Sequence, residues 1–499
     1  MLIGREEEID TLLKLCSYEK SSLAVVHGRR RIGKTYLIQQ LFKEYKKDCL
    51  FFSFTGSYEQ DTKSQIKNFV DAIDDWFKFE PTKEIKDWTD SFIFLKKAIR
   101  NEIESKKHEG KVVIFIDEVS WIDKTNKSSF LSSLGHFWNT FCEDNKNIVM
   151  ILCGSNASWI KNKILKDTKG PLYQRVDKEI AMLPFNLKET KEYIEHIGYE
   201  LDDKKITELY MIMGGVAKYL TYLDLSIGLS ENIDKIFFKM NSPLYGEYDM
   251  VFKTLFYDRH TYHKKIMDIL CTKQSGFTTA ELLSELKVES TNKTLRIAIE
   301  ELSDTGFIKA ISKFNQTIRD VKYIIADPFC LFYNKWVKPL SKNDIASLGE
   351  YWNSQVDTQA YAIWTGFSFE AVCIMNIELY LNVRKVKSAF KSVSYWNYQA
   401  NIGIPNDKGT QIDFVVEYEH NLYDIVECKY YNDEFVITKD YENSLRNKLT
   451  KFKEHGIKAK SKYELKLVML STYGTKINQY YNALNISQDI KLEQLFKSN

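Results

Sequence analysis

Two stretches of the chain carry side chains whose types and spacing suit chemistry. The first is Gly28-Arg29-Arg30-Arg31-Ile32-Gly33-Lys34-Thr35. Its pattern, G-x-x-x-x-G-K-T, is that of a phosphate-binding loop. The glycines let backbone N–H groups close on phosphate oxygens, and a helix beginning at the loop's end adds a favourable dipole. Lys34 would reach the β- and γ-phosphates of a nucleotide, and Thr35 would ligate Mg²⁺. The second stretch is QIDFVVEYEHNLYDIVECKYY, residues 411–431, with Asp413, Glu427 and Lys429 inside otherwise apolar runs. Glu427 and Lys429 are two apart, so on a strand they point the same way, and Asp413 on a preceding antiparallel strand can stand beside them. Buried singly, such groups are costly. They become sensible if two carboxylates share a divalent cation and the lysine offsets the remaining charge. A hairpin with ordinary surface charges matches the same pattern.

The elements that would position the first group are legible around it. LAVV before the loop suits a buried parallel strand, and Leu37, Ile38, Leu41 and Phe42 after it fall at helical spacing. KVVIFIDEVSWI is a second apolar strand, ending in Asp117-Glu118. In the Walker B arrangement Asp117 would hold Mg²⁺ through water and Glu118 would polarise the attacking water. The alternative is a strand that reaches the surface at its acidic end. NIVMILCGSNASWI is a third strand, with Ser155 and Asn156 at its exit. Ligands of doubly wound sheets bind at the carboxyl ends of strands, so either residue could touch the γ-phosphate or the water; a helix N-cap is the competing role. Arg175, in GPLYQRVDKEI, reads as an arginine finger or a salt-bridge residue.

IGREEEIDTLL, GRRRIGKT, VVIFIDE, ILCGSN, GPLYQR and MGGVAKYL follow one another in a set order. Together they resemble the archaeal-type ATPase family, a branch of the AAA+/STAND P-loop ATPases. The resemblance implies ATP and Mg²⁺ as cofactors and a parallel-sheet α/β domain over residues 1–185. It implies that Gly4 and Arg5 border the adenine and that Gly214 and Gly215 turn beside the nucleotide. Ala217 stands where the family usually has proline.

From about residue 186 the pattern is helical, read as a lid over 186–257. Residues 258–340 read as three helices and a two-stranded wing, the winged-helix variant of helix-turn-helix, with Asn292, Lys293 and Arg296 on its third helix. DNA reading competes there with packing or signal relay. After a polar boundary, YAIWTGFSFEAVCIMNIELYL is a helix apolar on nearly every face and interrupted by Glu370. A carboxylate in such a helix needs a partner. The order Glu370, Asp413, Glu427, Lys429 resembles the PD-(D/E)XK nuclease superfamily, and more closely the DUF234 domain that follows archaeal-type ATPase modules. The resemblance implies a restriction-endonuclease-like α/β domain over 341–499. In it Glu370 would be the helix acid, Asp413 and Glu427 the metal ligands and Lys429 the catalytic lysine. QID replaces the literal PD. Arg446 and Lys448, on the following helix, read as contacts to a phosphate backbone.

Composition bounds the partners. The 499 residues carry a net charge of only +2, so binding to nucleic acid, expected to be DNA, must come from a local patch. Eight cysteines without a C-x-x-C pair read as reduced thiols in a cytoplasmic protein, and no run of 18 apolar residues suggests a membrane span. The acidic, helical N-terminus does not read as a signal peptide. The expectation is therefore an ATPase, possible as a homo-oligomer, whose nucleotide state controls a Mg²⁺-dependent nuclease in defence or mobile-element biology. The competing reading is an ATP-switched binding or assembly regulator with an inactive nuclease fold.

Overall fold

The computed structural model describes residues 2–497, apart from 46–47, 107–109, 124–127, 288–290, 316–320, 348, 406 and 458–461. The chain divides into two units, Met1–Pro184 and Phe185–Asn499.

The first unit is built on a wholly parallel sheet of β1 (Ser22–His27), β2 (Leu50–Thr55), β3 (Val112–Asp117), β4 (Ile148–Gly154) and β5 (Lys178–Ala181). The spatial order is β2-β3-β4-β1-β5. Every residue of β1, β3 and β4 is buried. Strands covered on both faces must be apolar throughout, which is why SLAVVH, VVIFID and IVMILCG lack the alternation of a half-exposed strand. Because β4 lies between β1 and β3, the residues leaving β4 fall between the loop after β1 and the acids that end β3.

The second unit opens with helices. Leu187–His196 starts at a capping box in which Asn186 and Glu189 satisfy each other's backbone N–H groups. Asp203–Met213, Leu229–Phe237 and Glu247–Phe256 follow. Three more helices, His260–Leu270, Thr279–Leu286 and Asn292–Asp304, match the expected trio, with Thr278 and Thr291 as N-caps of the last two. The two strands read from sequence as a wing are β7 (Ile308–Lys313) and β8 (Lys322–Ile325), which pair antiparallel, with the two-residue β6 (Phe277–Thr278) added at the outer edge of β8.

The hairpin does not stand apart. β7 pairs in parallel with β9 (Phe390–Tyr398) through Ser312, Lys313, Ser394 and Tyr395. The sheet continues through β10 (Thr410–Tyr418), β11 (Leu422–Lys429), β12 (Glu464–Ser471) and β13 (Gln488–Lys491), eight strands in all. Phe314 secures the join: its N–H donates to the Tyr395 carbonyl at 3.0 Å, and its ring packs on Tyr423 and Phe452. Asn315 donates to the Gly456 carbonyl at 2.7 Å. Helix Gln359–Met375 covers one face of this sheet, against Val426 and Cys428; helix Lys439–Lys451 covers the other, against Ile412 and Ile425. Among the described residues no single helix is long and apolar enough to cross a membrane.

Asp424, inside β11, shows how this unit treats a buried charge. Arg384 meets both its oxygens at 2.8 Å, and the hydroxyls of Tyr380 and Tyr418 donate to Oδ2 at 2.8 and 2.7 Å. Removing one partner leaves an uncompensated charge in a dry place. Arg384→Met is expected to cost the second unit about 3–5 kcal/mol, read by urea denaturation of the full chain.

Candidate functional sites

The loop after β1 is bound to its own unit by close packing. Gly28 has φ 151°, and a Cβ there would lie 2.2 Å from the Met182 carbonyl oxygen, so only glycine fits. Ile32 and Arg29 are buried. Gly33, at φ 95°, leads into helix Lys34–Gln39. Lys34 lies inside the loop, its ammonium donating to the Gly28 and Arg29 carbonyls at 2.8 and 2.9 Å. Arg31 adopts a left-handed backbone, and Arg30 lies over the Trp121 ring at 5.4 Å. Arg5 follows Gly4 in a left-handed turn and is buried; its guanidinium reaches the Ile32 carbonyl and Glu8, each at 3.4 Å. The N-terminal G-R-E segment is thereby attached to the phosphate-binding loop.

Across the sheet end, the Thr35 hydroxyl donates to Asp117 Oδ2. These are the two groups that the sequence assigns to Mg²⁺. Their contact fits that assignment, since a hydroxyl and a carboxylate already share one point. Glu118, at φ 48°, aims its carboxylate at the exit of β4. Its Oε2 accepts from the Ser155 N–H at 3.1 Å and the Ser155 hydroxyl at 2.8 Å. Burial raises the Glu118 pKa, opposed by Lys34 and reinforced by Asp117. A raised value is what a group that must accept a proton from water needs.

Four further residues named from the sequence have other contacts. Asn156 caps a helix, its Oδ1 accepting from the Trp159 N–H at 2.9 Å. Arg175 pairs with Glu143 at the surface. Gly214 and Gly215 lie in the second unit and serve its packing. A Cβ on Gly215, at φ 65°, would lie 2.1 Å from the Phe185 carbonyl oxygen.

The second group is brought together by a bulge and two helices. β10 shifts register against β9 between Ile412 and Val415, so one extra residue sits in β10 and re-aims Asp413. The β10–β11 ladder runs only as far as Phe414 opposite Val426. Beyond it the Asp413 side chain takes over, its Oδ2 accepting the Cys428 N–H at 2.8 Å. Glu427 and Lys429 share the face that carries Tyr423 and Ile425, while Val426 and Cys428 face helix Gln359–Met375. Glu427 is buried and saturated. Its Oε1 accepts from Lys429 at 2.8 Å and from the Tyr441 hydroxyl; its Oε2 accepts from Lys448 at 2.5 Å. Lys448 also lies 3.6 Å from Asp413 Oδ1.

Glu370 approaches from helix Gln359–Met375 and accepts from Gln274 at 2.7 Å. The three carboxylates feel one another. Burial and then Glu427 push Asp413 up to about 6; burial, Asp413 and Glu427 push Glu370 well above its usual range. Glu427 moves the other way, because Lys448 and Lys429 outweigh its burial. Among the described residues no three His, Cys, Asp or Glu side chains converge as metal ligands do. Asp413 and Glu427 fit a cation as a pair, with Lys448 standing between them.

Tyr441 is absent from the sequence reading, and Lys448 was expected on a phosphate backbone. Tyr441, Leu445 and Lys448 fall at i, i+4 and i+7, the stripe a helix turns toward its sheet. Leu445 in that stripe was the available signal. Arg446 is off it, paired with Glu442 at 2.8 Å.

Residues 2–223 match the family described as an ATPase domain predominantly from Archaea. An uncharacterized protein of Methanocaldococcus jannaschii is 26% identical over 471 residues, covering 91% of this chain and 98% of that protein. An uncharacterized ATP-binding protein of the same organism is 43% identical over 47 residues, 9% of this chain and 78% of that protein. Among solved structures, a Walker-type ATPase of Pyrococcus abyssi aligns with a TM-score of 0.47 at 17% identity, covering 67% of this chain and 96% of that one. The ORC2 protein of Aeropyrum pernix, in ADPNP–ADP complexes, aligns with a TM-score of 0.43 at 11% identity, covering 72% and 96%.

Glu118→Gln is expected to lower ATP turnover by about 10²–10⁴-fold while nucleotide binding persists. Lys34→Ala is expected to weaken binding itself. Phosphate release and titration with a fluorescent ATP analogue separate the two.

Proposed function

We propose that the archaeal-type ATPase domain at residues 2–223 uses ATP to control a metal-dependent nuclease site on the second unit. ATP and Mg²⁺ would be held at the first unit, with Lys34 on the phosphates, Thr35 and Asp117 at the metal, and Glu118 as the base toward water. In this reading Gly4 and Arg5 border the adenine, and Arg29, Arg30, Arg31 and Ile32 lend the loop its backbone donors. Ser155 holds Glu118 and can hand it to the water when a γ-phosphate arrives. Gly214 and Gly215 fall within the matched ATPase segment, which supports a nucleotide-linked turn. The chain would then comprise an ATPase domain at 1–185, a lid at 186–257, a winged helix at 258–340 and a nuclease-like domain at 341–499. The eight free cysteines support a cytoplasmic setting. Assembly through the ATPase domain and a role in defence or mobile-element biology complete the proposal.

One observation carries the nuclease part. Asp413, Glu427 and Lys429 meet on one sheet face where β10 and β11 part, with Glu370 close enough to repel both acids. Bound Mg²⁺ would supply an activated water and steady the scissile phosphate. Asp413 and Glu427 would hold it. Lys429, fixed by Glu427 and by the rings of Tyr441 and Phe435 at 5.1 and 5.7 Å, would orient the water and screen developing charge. DNA is the proposed substrate. A second reading, a nucleotide-switched regulator with an idle nuclease fold, is favoured by the saturation of Glu427.

Incubation of the full chain with ATP, Mg²⁺ or Mn²⁺ and labelled DNA separates the two readings. Wild type is expected to cleave, and Lys429→Ala to lose at least about 10²-fold. Equal cleavage by that variant would remove Lys429 from the site. Nucleotide-dependent binding with no cleavage under either metal would favour the regulator.

A further inference from the structure

The hydrogen bonds of the carboxylate pair leave few oxygens for anything else. Oδ2 of Asp413 is taken by the Cys428 N–H, and Oε1 of Glu427 by Lys429 and Tyr441. The remaining oxygens are Asp413 Oδ1 and Glu427 Oε2. Both face one group, the ammonium of Lys448, at 3.6 and 2.5 Å. Lys448 is itself nearly enclosed, with 12% of its side chain exposed. It is placed by helix Lys439–Lys451, which Leu445 fixes to the sheet.

We infer that Lys448 is an internal cation that shares its two carboxylate oxygens with a divalent metal, so that metal entry requires its ammonium to withdraw. The inference rests on the nuclease reading of this site. Oxygen ligands approach Mg²⁺ at about 2.1 Å, so a metal bridging these oxygens would occupy the ground on which Lys448 now stands. Two cations cannot share that ground, because their repulsion grows as the surroundings dry. Lys448 can withdraw by rotating its flexible side chain, since the helix is fixed to the sheet by the apolar contact of Leu445. Metal affinity is then set by a residue that is not a ligand, and anything that shifts helix Lys439–Lys451 would tune it.

The test is Mn²⁺ binding by the full chain without nucleotide, followed by the electron paramagnetic resonance of the free ion. Glu427→Gln defines the binding that belongs to this site. Lys448→Met is expected to bind Mn²⁺ about tenfold more tightly than wild type, the order of effect expected when a nearby like charge is removed. Lys448→Arg, which keeps the charge, is expected to bind no more tightly than wild type. Should the methionine variant fail to fold, Lys448→Gln removes the charge and retains a donor to Glu427. Glu427-dependent binding that is unchanged or weaker in the neutral variants overturns the inference and leaves the nuclease reading intact. No Glu427-dependent binding in any variant overturns both.

Discussion

A carboxylate at the end of a buried strand needs a positive or donating partner close by, and both sites in this chain are answers to that need. β3 ends in Asp117, and β11 ends in Glu427 and Lys429, each strand buried along its apolar length. Desolvation disfavours the charged form of a buried carboxylate. In the first unit the Thr35 hydroxyl and the Glu118 N–H supply the partners of Asp117. In the second unit two lysines and a tyrosine converge on one glutamate. The surrounding topology follows from this. β4 must lie beside β3 for Ser155 to reach Glu118, and β10 must bulge for Asp413 to reach the end of β11.

The join between β7 and β9 has a consequence for how the second unit can work. A free wing would leave its edge available to nucleic acid. Here that edge is spent on the sheet, and Phe314 lies between Tyr423 and Phe452 in the same core as Leu445. Gln274, in the turn after helix His260–Leu270, meanwhile bonds Glu370. The three-helix segment therefore touches the carboxylate cluster by two routes, one through the sheet core beneath helix Lys439–Lys451 and one through Glu370.

What the sequence disclosed was local. The phosphate-binding loop, Asp117-Glu118 and Glu427-x-Lys429 are legible because their residues act within one turn or one strand, where spacing dictates direction. The hairpin is legible because residues 419–421 are polar between two apolar runs. Tyr441 escaped because its role comes from a different element, brought over the sheet by packing at Leu445. Lys448 reads from sequence as a contact to a phosphate backbone for the same reason. The bulge at Asp413 has no signature, since it contains neither glycine nor proline. The β7–β9 pairing joins residues some 80 apart and is set by Phe314, whose type reads only as one more apolar residue. Asn156 illustrates a choice that spacing leaves open: an asparagine after a strand is chemically able to meet a phosphate or to cap the next helix, and here its Oδ1 accepts from the Trp159 N–H.

The two clusters differ in how their cations are held, and this bears on which can be switched. Lys34 is held by backbone carbonyls of its own loop, neutral groups that a nucleotide's phosphates can outbid, so arrival of ligand redirects an ammonium already in place. Lys429 and Lys448 are held by Glu427, a full charge in a dry setting, and are released only by something of higher charge on the same oxygens. The first site is thus ready for its ligand, whereas the second opens only as a divalent cation competes or as the helix carrying Lys448 moves.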